Sequence, residues 1–348
     1  MNIRVLYNGE YYVEEIVQSV EWSGDITQAY RTLTVSLTNT NDGRTRLLNF
    51  EVGRELRFYS EGAELFRGII FRREIAQDGS MTLSAYDENV YLTKNTDTRK
   101  FTNMTASQII RKLCTEFDVA VGEITDTKHV IPKLILRDMT LWNMFVTALT
   151  ETKKKTGRRY FIDAKEGRLY LTERKARKAT YLLESKTNVH TASYSQSIEE
   201  LRNQVRVIGG TDDAPIIAAA NDGYSAQRYG LMQHLESADS EATAAEVRQL
   251  ANQLLRDLNV IDDEASITAL GYDDTYAGVS VYVYDEITGI VGSYYVSADT
   301  HTYSNGVHTM SLTLSATDDL PTLEYVPPAE PVEKKSGSEE DWKYWLNW

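Results

Sequence analysis

Cysteine is almost absent from this sequence of 348 residues, which contains Cys114 alone. A single cysteine excludes a disulfide framework within the chain and a Cys-x-x-Cys motif. Cys114 lies in the segment IIRKLCTEF, where Ile110, Leu113 and Phe117 recur at helical spacing. This pattern predicts a buried structural thiol rather than a reactive nucleophile.

Long apolar runs and an excess of basic residues are also lacking. No stretch approaches the ~18 apolar residues of a transmembrane helix, and the start MNIRVLYNGEYYVEE lacks the features of a secretory signal. The 37 Lys and Arg residues face 51 Asp and Glu residues, which gives a net charge of −14. Binding to a nucleic-acid backbone needs clustered cations. We therefore expect no membrane insertion, no specific nucleic-acid binding and assembly in the cytosol.

The sequence has no His-Glu-x-x-His and no Gly-x-x-x-x-Gly-Lys-Ser/Thr pattern. Adjacent acidic pairs are present, but neighbouring side chains of a strand point to opposite faces, whereas a glycosidase needs two carboxyl groups facing across ~5–10 Å. We therefore expect neither catalysis nor a bound cofactor. Such pairs include Glu14-Glu15, Glu199-Glu200, Asp212-Asp213, Asp262-Asp263 and Asp273-Asp274.

The residues that are present favour a mainly β protein with an α+β insert. Residues 1–93 are predicted to form a first tube-like antiparallel β-barrel domain, because residues 30–93 alternate in polarity and Asp78-Gly79 marks a hairpin turn. Residues 94–190 predict a small α+β module. Its helices begin near Thr105 or Ser107 and end at Gly157, and a hairpin turn follows at Lys165-Glu166-Gly167.

Residues 191–320 return to alternating strands and predict a second, related β-barrel domain, interrupted by one helix at about 240–259. Residues 321–348 are rich in Pro, Glu and Ser and cannot bury a core. They predict an extended tail that ends in an aromatic docking segment for a partner, because large apolar side chains rarely stay exposed unused. The docking residues are Trp342, Tyr344, Trp345, Leu346 and Trp348.

The ends of the two predicted β domains repeat each other. MTLSAYD and SLTLSATD each follow a hairpin turn, and they match at Thr82/Thr313, Leu83/Leu314, Ser84/Ser315, Ala85/Ala316 and Asp87/Asp318. Two unrelated hairpins with similar turns are the alternative. A duplicated barrel has a geometric consequence, since three chains in a ring would present six near-equivalent units.

The order of these segments resembles the baseplate hub family of contractile tails, which includes the late control gene D proteins and the hub proteins of defective prophages. The resemblance covers residues 30–320, and these segments carry it: VGRELRFYSEGAELFRGIIF, SAYDENVYL, TASQII, SYSQSIEELRNQVRVIGG and TGIVGSYYVSADTHTYSNGVHTMSLTL.

The resemblance implies a structural protein of the virion or tail-like particle baseplate, assembled in the bacterial cytoplasm as a homotrimer with pseudo-sixfold symmetry. It implies that the ring adapts the hexameric tail tube protein to the trimeric spike protein and lines the conduit. The tape-measure protein and a LysM-containing baseplate protein are the other implied partners. Family members are often labelled cell-wall hydrolases, so a peptidoglycan-directed hydrolase or a wall-binding tail protein is the alternative.

Asp299, His301 and His308 form the one candidate metal cluster. A two-residue Asn305-Gly306 turn would pair Tyr303 with His308 and place all three side chains on one sheet face. Two histidines and a carboxylate can hold a metal ion. Because Met310 and Leu312 share that face, we favour packed, hydrogen-bonded hairpin residues and predict no metal site.

Overall fold

The computed structural model of the protein describes residues 2–174, 178–211, 214–316 and 320–325. Strands account for 51% of the chain and helices for 18%, which confirms the predicted mainly β fold with an α+β insert. Helices lie at Val90–Lys94 (α1), Ala106–Glu116 (α2), Leu141–Thr156 (α3), Gly223–Tyr229 (α4) and Ala244–Leu258 (α5), with a 3-10 turn at Glu14–Ile16.

The first strands are β1 (Ile3–Tyr7), β2 (Tyr11–Tyr12), β3 (Val17–Asp25), β4 (Thr32–Thr38), β5 (Glu55–Ser60), β6 (Ala63–Ile75) and β7 (Ser80–Tyr86). The middle strands are β8 (Thr96–Thr105), β9 (Val121–Ile124), β10 (Val130–Thr140), β11 (Tyr160–Lys165) and β12 (Arg168–Glu173). The last strands are β13 (Lys178–Glu184), β14 (Val189–Ser197), β15 (Gln204–Thr211), β16 (Ala214–Asn221), β17 (Gln233–Ser237), β18 (Asp262–Leu270), β19 (Ser280–Asp285), β20 (Ile290–Ser304) and β21 (Val307–Ser315).

The chain divides into two compact units. The β body comprises Met1–Val90, Asp163–Arg168 and Lys175–Leu320, and the insert comprises Tyr91–Ile162, Leu169–Arg174 and the chain from Pro321. The predicted module 94–190 extends too far, because β13 and β14 pair with β19 and β18 of the β body. The helical insert therefore ends near Arg174.

One sheet of 13 strands runs through the β body. Its main path is β14-β18-β21-β20-β3-β4-β7-β6-β5-β1-β2, with β19 added to β20 and β13 added to β19. The N-terminal and C-terminal β regions meet where β3 pairs antiparallel with β20, from Ser19 opposite Ser304 to Asp25 opposite Ala298. The two predicted β domains thus share a continuous sheet.

The strand pairings of the two β regions are duplicated. The path β3-β4-β7-β6-β5-β1 has its counterpart in β14-β18-β21-β20-β19-β13. Two β-bulges coincide as well: β3 and β14 each bulge against the next strand, and β6 and β20 each bulge against their hairpin partner. The copies differ at their last ladder, which is antiparallel for β1 and β5 but parallel for β13 and β19.

When the two copies are aligned on their bulges, Met81 is equivalent to Met310 and Ala85 is equivalent to Leu314. The matching heptads that indicated the repeat are therefore two residues out of the structural register. A shift of two preserves which side chains face the core, so alternation alone cannot fix the register. Asp318, the last residue of that comparison, lies outside the described residues.

Each copy buries its own core. Alternate side chains of the first copy, including Leu33, Leu83 and Phe58, form one cluster, and those of the second, including Ile267, Val283 and Leu312, form another. Between β14 and β18 the chain leaves the second copy to build a three-stranded sheet, β16-β15-β17, which α5 covers. The predicted helix at about 240–259 is this helix, and Thr243 and Glu246 cap it reciprocally.

Both predicted helices of the insert are confirmed. Thr105 caps α2 and exchanges bonds with Gln108 in a capping box, and α3 ends at Gly157 in a left-handed conformation with φ of +70°. Cys114 lies in the insert core, and burial raises the pKa of its thiol to about 12. Across the described residues, no helix is long and apolar enough to cross a membrane.

We expect Thr105→Ala to lower the free energy of unfolding of the insert by about 1 kcal/mol, because the cap satisfies a backbone N–H that α2 cannot bond internally. Thr115→Ala is the matched control on the same helix, since its exposed hydroxyl only donates to the Arg111 carbonyl. Urea unfolding followed by far-UV circular dichroism measures both. Equal losses for the two variants would contradict the role of the cap.

Candidate functional site

The candidate residues lie on the hairpin of β20 and β21. Asn305 and Gly306 both have positive φ, 51° and 78°, as a tight two-residue turn requires. Tyr303 pairs with His308 as predicted. Asp299 and His301 are almost wholly buried, so the structure brings the predicted cluster together inside the β body.

Asp299 is held by an arginine from the other copy. Nη1 of Arg31 donates to Oδ1 at 2.9 Å and Nη2 donates to Oδ2, while the backbone N–H of Ala277 donates to Oδ1 at 2.6 Å. The guanidinium also lies over the Trp22 ring, 4.0 Å from its centroid. The buried carboxylate is therefore fully compensated.

Burial lowers the pKa of Arg31, but the Asp299 carboxylate more than offsets this effect, so the guanidinium pKa lies above its ordinary value. Arg31 also donates its backbone N–H to Asp87 at 2.7 Å. Burial raises the pKa of the Asp87 carboxyl to about 8, although this N–H and that of Asn89 oppose the rise. Arg31 thus contacts two carboxyl groups: its side chain pairs with Asp299, and its backbone N–H bonds to Asp87, whose pKa is raised.

The hydrogen bonds of His301 fix its tautomer. Nε2 lies 2.8 Å from the carbonyl oxygen of Thr275, which can only accept, so Nε2 carries the hydrogen. Nδ1 is then the acceptor for Nε2–H of His308 at 2.9 Å. Burial lowers the pKa of His301, which keeps the ring neutral.

His308 also lies near a second carboxylate. Its Nδ1 lies 3.5 Å from Oδ1 of Asp273, which accepts a hydrogen bond from the Tyr303 hydroxyl at 2.7 Å. The Tyr303 and His308 rings stack with centroids 4.0 Å apart. Burial, followed by the neighbouring His301, lowers the pKa of His308 to about 4.

These contacts describe a structural network. The facing nitrogens of His301 and His308 bond to each other, and both oxygens of Asp299 are engaged by Arg31. Within the described ranges, no group of three His, Cys, Asp or Glu residues is arranged to hold a metal ion. We call this set the junction network: Trp22, Arg31, Asp273, Thr275, Asp299, His301, Tyr303 and His308.

Half of the junction network could not be predicted from the sequence. Arg31 and Trp22 precede Asp299 by more than half the chain, and no local pattern connects them. One signal was available: Asp299 occupies a core-facing strand position, where a carboxylate needs a cationic partner. That signal predicts a cationic partner for Asp299 but does not identify which Lys or Arg residue it is.

A family model described as YQBQ-like matches residues 20–315. The chain belongs to the YQBQ-like family. The match leaves out β1, β2 and the start of β3, and it covers the rest of both β copies, the insert and the whole junction network. A relative in this family is the phage-like element PBSX protein XkdQ of Bacillus subtilis (strain 168), which is 30% identical over 312 residues covering 89% of this chain and 95% of XkdQ.

Solved structures of tail proteins share the fold. The 43 kDa tail protein of prophage MuSo2 from Shewanella oneidensis has a TM-score of 0.68 at 16% identity, covering 90% of this chain and 98% of its own. An Escherichia coli type VI secretion component, reported as similar to the T4 tail proteins gp27 and gp5, has a TM-score of 0.53 at 11% identity, covering 93% and 79%. The chain thus belongs to a family with a relative from a phage-like element and shares the fold of phage tail proteins, which confirms the predicted resemblance.

The predicted docking segment, from Trp342 to Trp348, lies outside the described residues. The described start of the tail contacts the insert: the backbone N–H of Leu323 donates to Thr150 at 3.0 Å, and Glu324 pairs with Lys154 at the end of α3. The hydroxyl of Tyr325 accepts from the backbone N–H of Ile135 at 3.1 Å. The tail therefore begins along the surface of the insert.

We expect Arg31→Met to lower the free energy of unfolding by about 3–5 kcal/mol, because it leaves the Asp299 carboxylate buried without its cation. The double variant Arg31→Met with Asp299→Leu should lose clearly less than the single variant, since it removes both charges. Arg57→Met is the control, because it breaks a more exposed ion pair with Glu55 and should cost no more than about 1 kcal/mol. Urea unfolding at pH 7 measures all three. A double variant no more stable than Arg31→Met would contradict the charge argument.

The lowered pKa of His308 predicts acid sensitivity. Between an unfolded pKa of 6.5 and a folded pKa of about 4, the unfolded chain binds more protons, so stability falls as pH falls through this window. The contribution should reach about 3 kcal/mol at the acid end. Urea midpoints between pH 7 and 4 should fall less steeply for His308→Gln than for the unchanged protein, while His190→Gln, on the exposed face of β14, should leave the slope unchanged.

Proposed function

We propose that this protein is the baseplate hub of a contractile tail, in a phage or a phage-tail-like particle. In this role three chains form a ring of six near-equivalent β units, which adapts the hexameric tail tube to the trimeric spike and surrounds the conduit. It is a structural component of the virion or tail-like particle baseplate, assembled in the bacterial cytoplasm, and it has no catalytic function.

The observation that carries this proposal is the duplication of strand order within one continuous sheet. Two equivalent units per chain are what a trimer needs to match a sixfold partner on one side and a threefold partner on the other. Membership of the YQBQ-like family and the shared fold of tail proteins support the same role.

The charge distribution supports a conduit lined by the β units. The chain carries a net charge of −14, yet Lys and Arg outnumber Asp and Glu within residues 91–174. The acidity therefore belongs to the β regions. An acidic wall repels nucleic-acid phosphates, so cargo would pass without binding. The tape-measure protein is the proposed cargo-side partner, and a LysM-containing baseplate protein is a further neighbour.

Light scattering on the purified chain tests the ring directly. We expect a particle of three times the 39.5 kDa chain mass, and two-dimensional averages of images should show six similar lobes around an axis. Addition of the spike protein should occupy one face of the ring, while the tube protein should occupy the other.

A persistent monomer at every concentration would contradict the hub. If that monomer also cleared cell-wall fragments, the hydrolase would replace the hub as the function. A ring without activity on cell wall would support the structural role, and binding to cell wall without cleavage would favour a wall-binding tail protein.

A further inference from the structure

The intrachain pairing of β3 with β20 has a counterpart for which the described part of the chain provides no partner strand. By the duplicated strand order, β14 is equivalent to β3, and the end of β6 is equivalent to the segment of β20 that receives β3. The two bulges set the register of this equivalence: Tyr194 corresponds to Trp22, and Ile75 corresponds to His301.

β14 is an edge strand that is only partly covered, with Val189 and Ala192 packed against the core of the second copy. It pairs with β18 along one side and ends the sheet path through the described residues. Most of its side chains are exposed, including Tyr194 with 44% of its surface accessible. Trp22, at the equivalent position of β3, is buried. The same strand position is thus covered in one copy and uncovered in the other.

The end of β6 shows the complementary condition. Its ladder with β5 reaches only Ile69, while its ladder with β7 continues to Ile75. Side chains from Arg72 to Ile75 are all exposed, whereas Asp299 and His301, the equivalents of Arg73 and Ile75 in the part of β20 that pairs with β3, are buried. This segment therefore has one edge paired and one edge accessible.

We propose that β14 of one copy pairs antiparallel with the Arg72–Ile75 segment of β6 in the next copy, as β3 pairs with β20 within the chain. The intrachain register, transferred to this contact, sets Tyr194 opposite Ile75, Gln196 opposite Arg73 and Ser197 opposite Arg72. The occupant of the β14 edge is a second copy of this chain. The inference rests on the proposed ring and names the strands that close it.

Side-chain chemistry favours this register. Tyr194 and Ile75 are both large apolar groups that are more than one-third exposed in the single chain, and the contact would cover both. Their counterparts Trp22 and His301 already pack together, with ring centroids 5.1 Å apart. The intermolecular pair would thus place a Tyr–Ile contact where the intrachain junction has a contact of two rings.

Charges complement each other across the same contact. On β18, Asp262 lies opposite Ser197 and Asp263 lies opposite Gln196. The incoming Arg72 and Arg73 would therefore share sheet faces with these carboxylates, one strand further away. Two strand spacings amount to roughly 10 Å, which a long arginine side chain spans across a small residue such as Ser197. A shift of one residue would send each arginine to the opposite face.

The contact is heterologous, because β14 of one copy meets β6 of another. Such a contact generates a closed ring when its rotation closes and a filament when it does not. Closure after three copies follows from the proposed function, whereas the strand pairing stands on the duplicated topology.

Variants with one added cysteine test the pairing in the full chain. Tyr194→Cys and Ile75→Cys are purified separately, mixed, dissociated and reassembled, and then treated with a short bismaleimide. We expect a covalent dimer from the mixture and none from either variant alone, since an isologous contact would link Tyr194→Cys to itself. Cys114 is a suitable silent background because its thiol is buried and its pKa is raised.

The Tyr194→Cys and Ile75→Cys double variant should form a ladder of covalent dimer and trimer. A Ser193→Cys and Ile75→Cys pair is the register control, because Ser193 faces the other side of the sheet from Tyr194. It should crosslink much less. Equal crosslinking of the two pairs would overturn the proposed register.

Charge reversal provides a second, independent readout. Arg72→Glu should weaken assembly about tenfold, because it replaces an attraction with a repulsion between partly exposed charges. Asp262→Lys in the same chain should restore most of the loss. Arg248→Glu, at an exposed site on α5 outside the proposed contact, is the control and should change the dissociation constant little. Sedimentation velocity measures all four proteins.

The outcomes separate this inference from the proposed function. A trimer that neither crosslinks at the named positions nor responds to Arg72→Glu would overturn the strand pairing and leave the ring in place. A chain that stays monomeric would overturn both. A crosslinked filament without rings would support the pairing and contradict closure at three copies.

Discussion

The buried ion pair of Arg31 and Asp299 is the contact on which the β body depends, because it fixes how β3 lies against β20. An arginine of the first copy and a carboxylate of the second are both removed from water, and each is costly without the other. Apolar residues of similar volume could give equal stability. The pair instead specifies register, because a slip of one residue would carry Asp299 to the other face of the sheet.

The surrounding residues add specificity to that register. Asp299 also accepts from the Ala277 backbone, and His301 donates to the Thr275 carbonyl, so the loop before β19 is tied to β20. Tyr303 reaches Asp273 in the same loop. Since the bonds to Asp299 from Ala277 and from His301 to Thr275 are buried, losing either one leaves a polar group without water, which makes the arrangement cooperative.

Local features of this fold could be predicted from sequence, and distant ones could not. Thr105 and Gly157 set the ends of two helices, and Asn305-Gly306 set a turn, because each signal acts within a few residues. The pairing of β3 with β20 joins segments on opposite ends of the chain, and no local preference encodes it. The strands β1 and β3 and the short helix α4 were missed for the related reason that their signals are brief.

The junction network was predicted only where it is local. Asp299, His301 and His308 share one hairpin, so strand alternation placed them on one face. Their hydrogen-bond partners come from Arg31, in the connection between β3 and β4, and from the loop around Asp273, which only the folded chain brings near. Side chains of a strand alternate with a period of two, and this alternation predicted the repeat but not its register. Met81 and Met310 correspond only after a shift of two residues, which leaves the alternation unchanged.

In the proposed ring, each duplicated unit would form equivalent strand junctions twice, once within a chain and once between chains. Within the chain, connectivity keeps β3 and β20 close, so that junction can enclose a charged pair permanently. Between chains of the proposed ring, the equivalent edges would face water before assembly, so a buried charged network could form there only on association. The equivalent positions accordingly carry Arg73, Ile75 and Tyr194, which tolerate water. The two copies therefore retain one strand order, while the residues at the intrachain junction are buried and those at the equivalent edges are exposed.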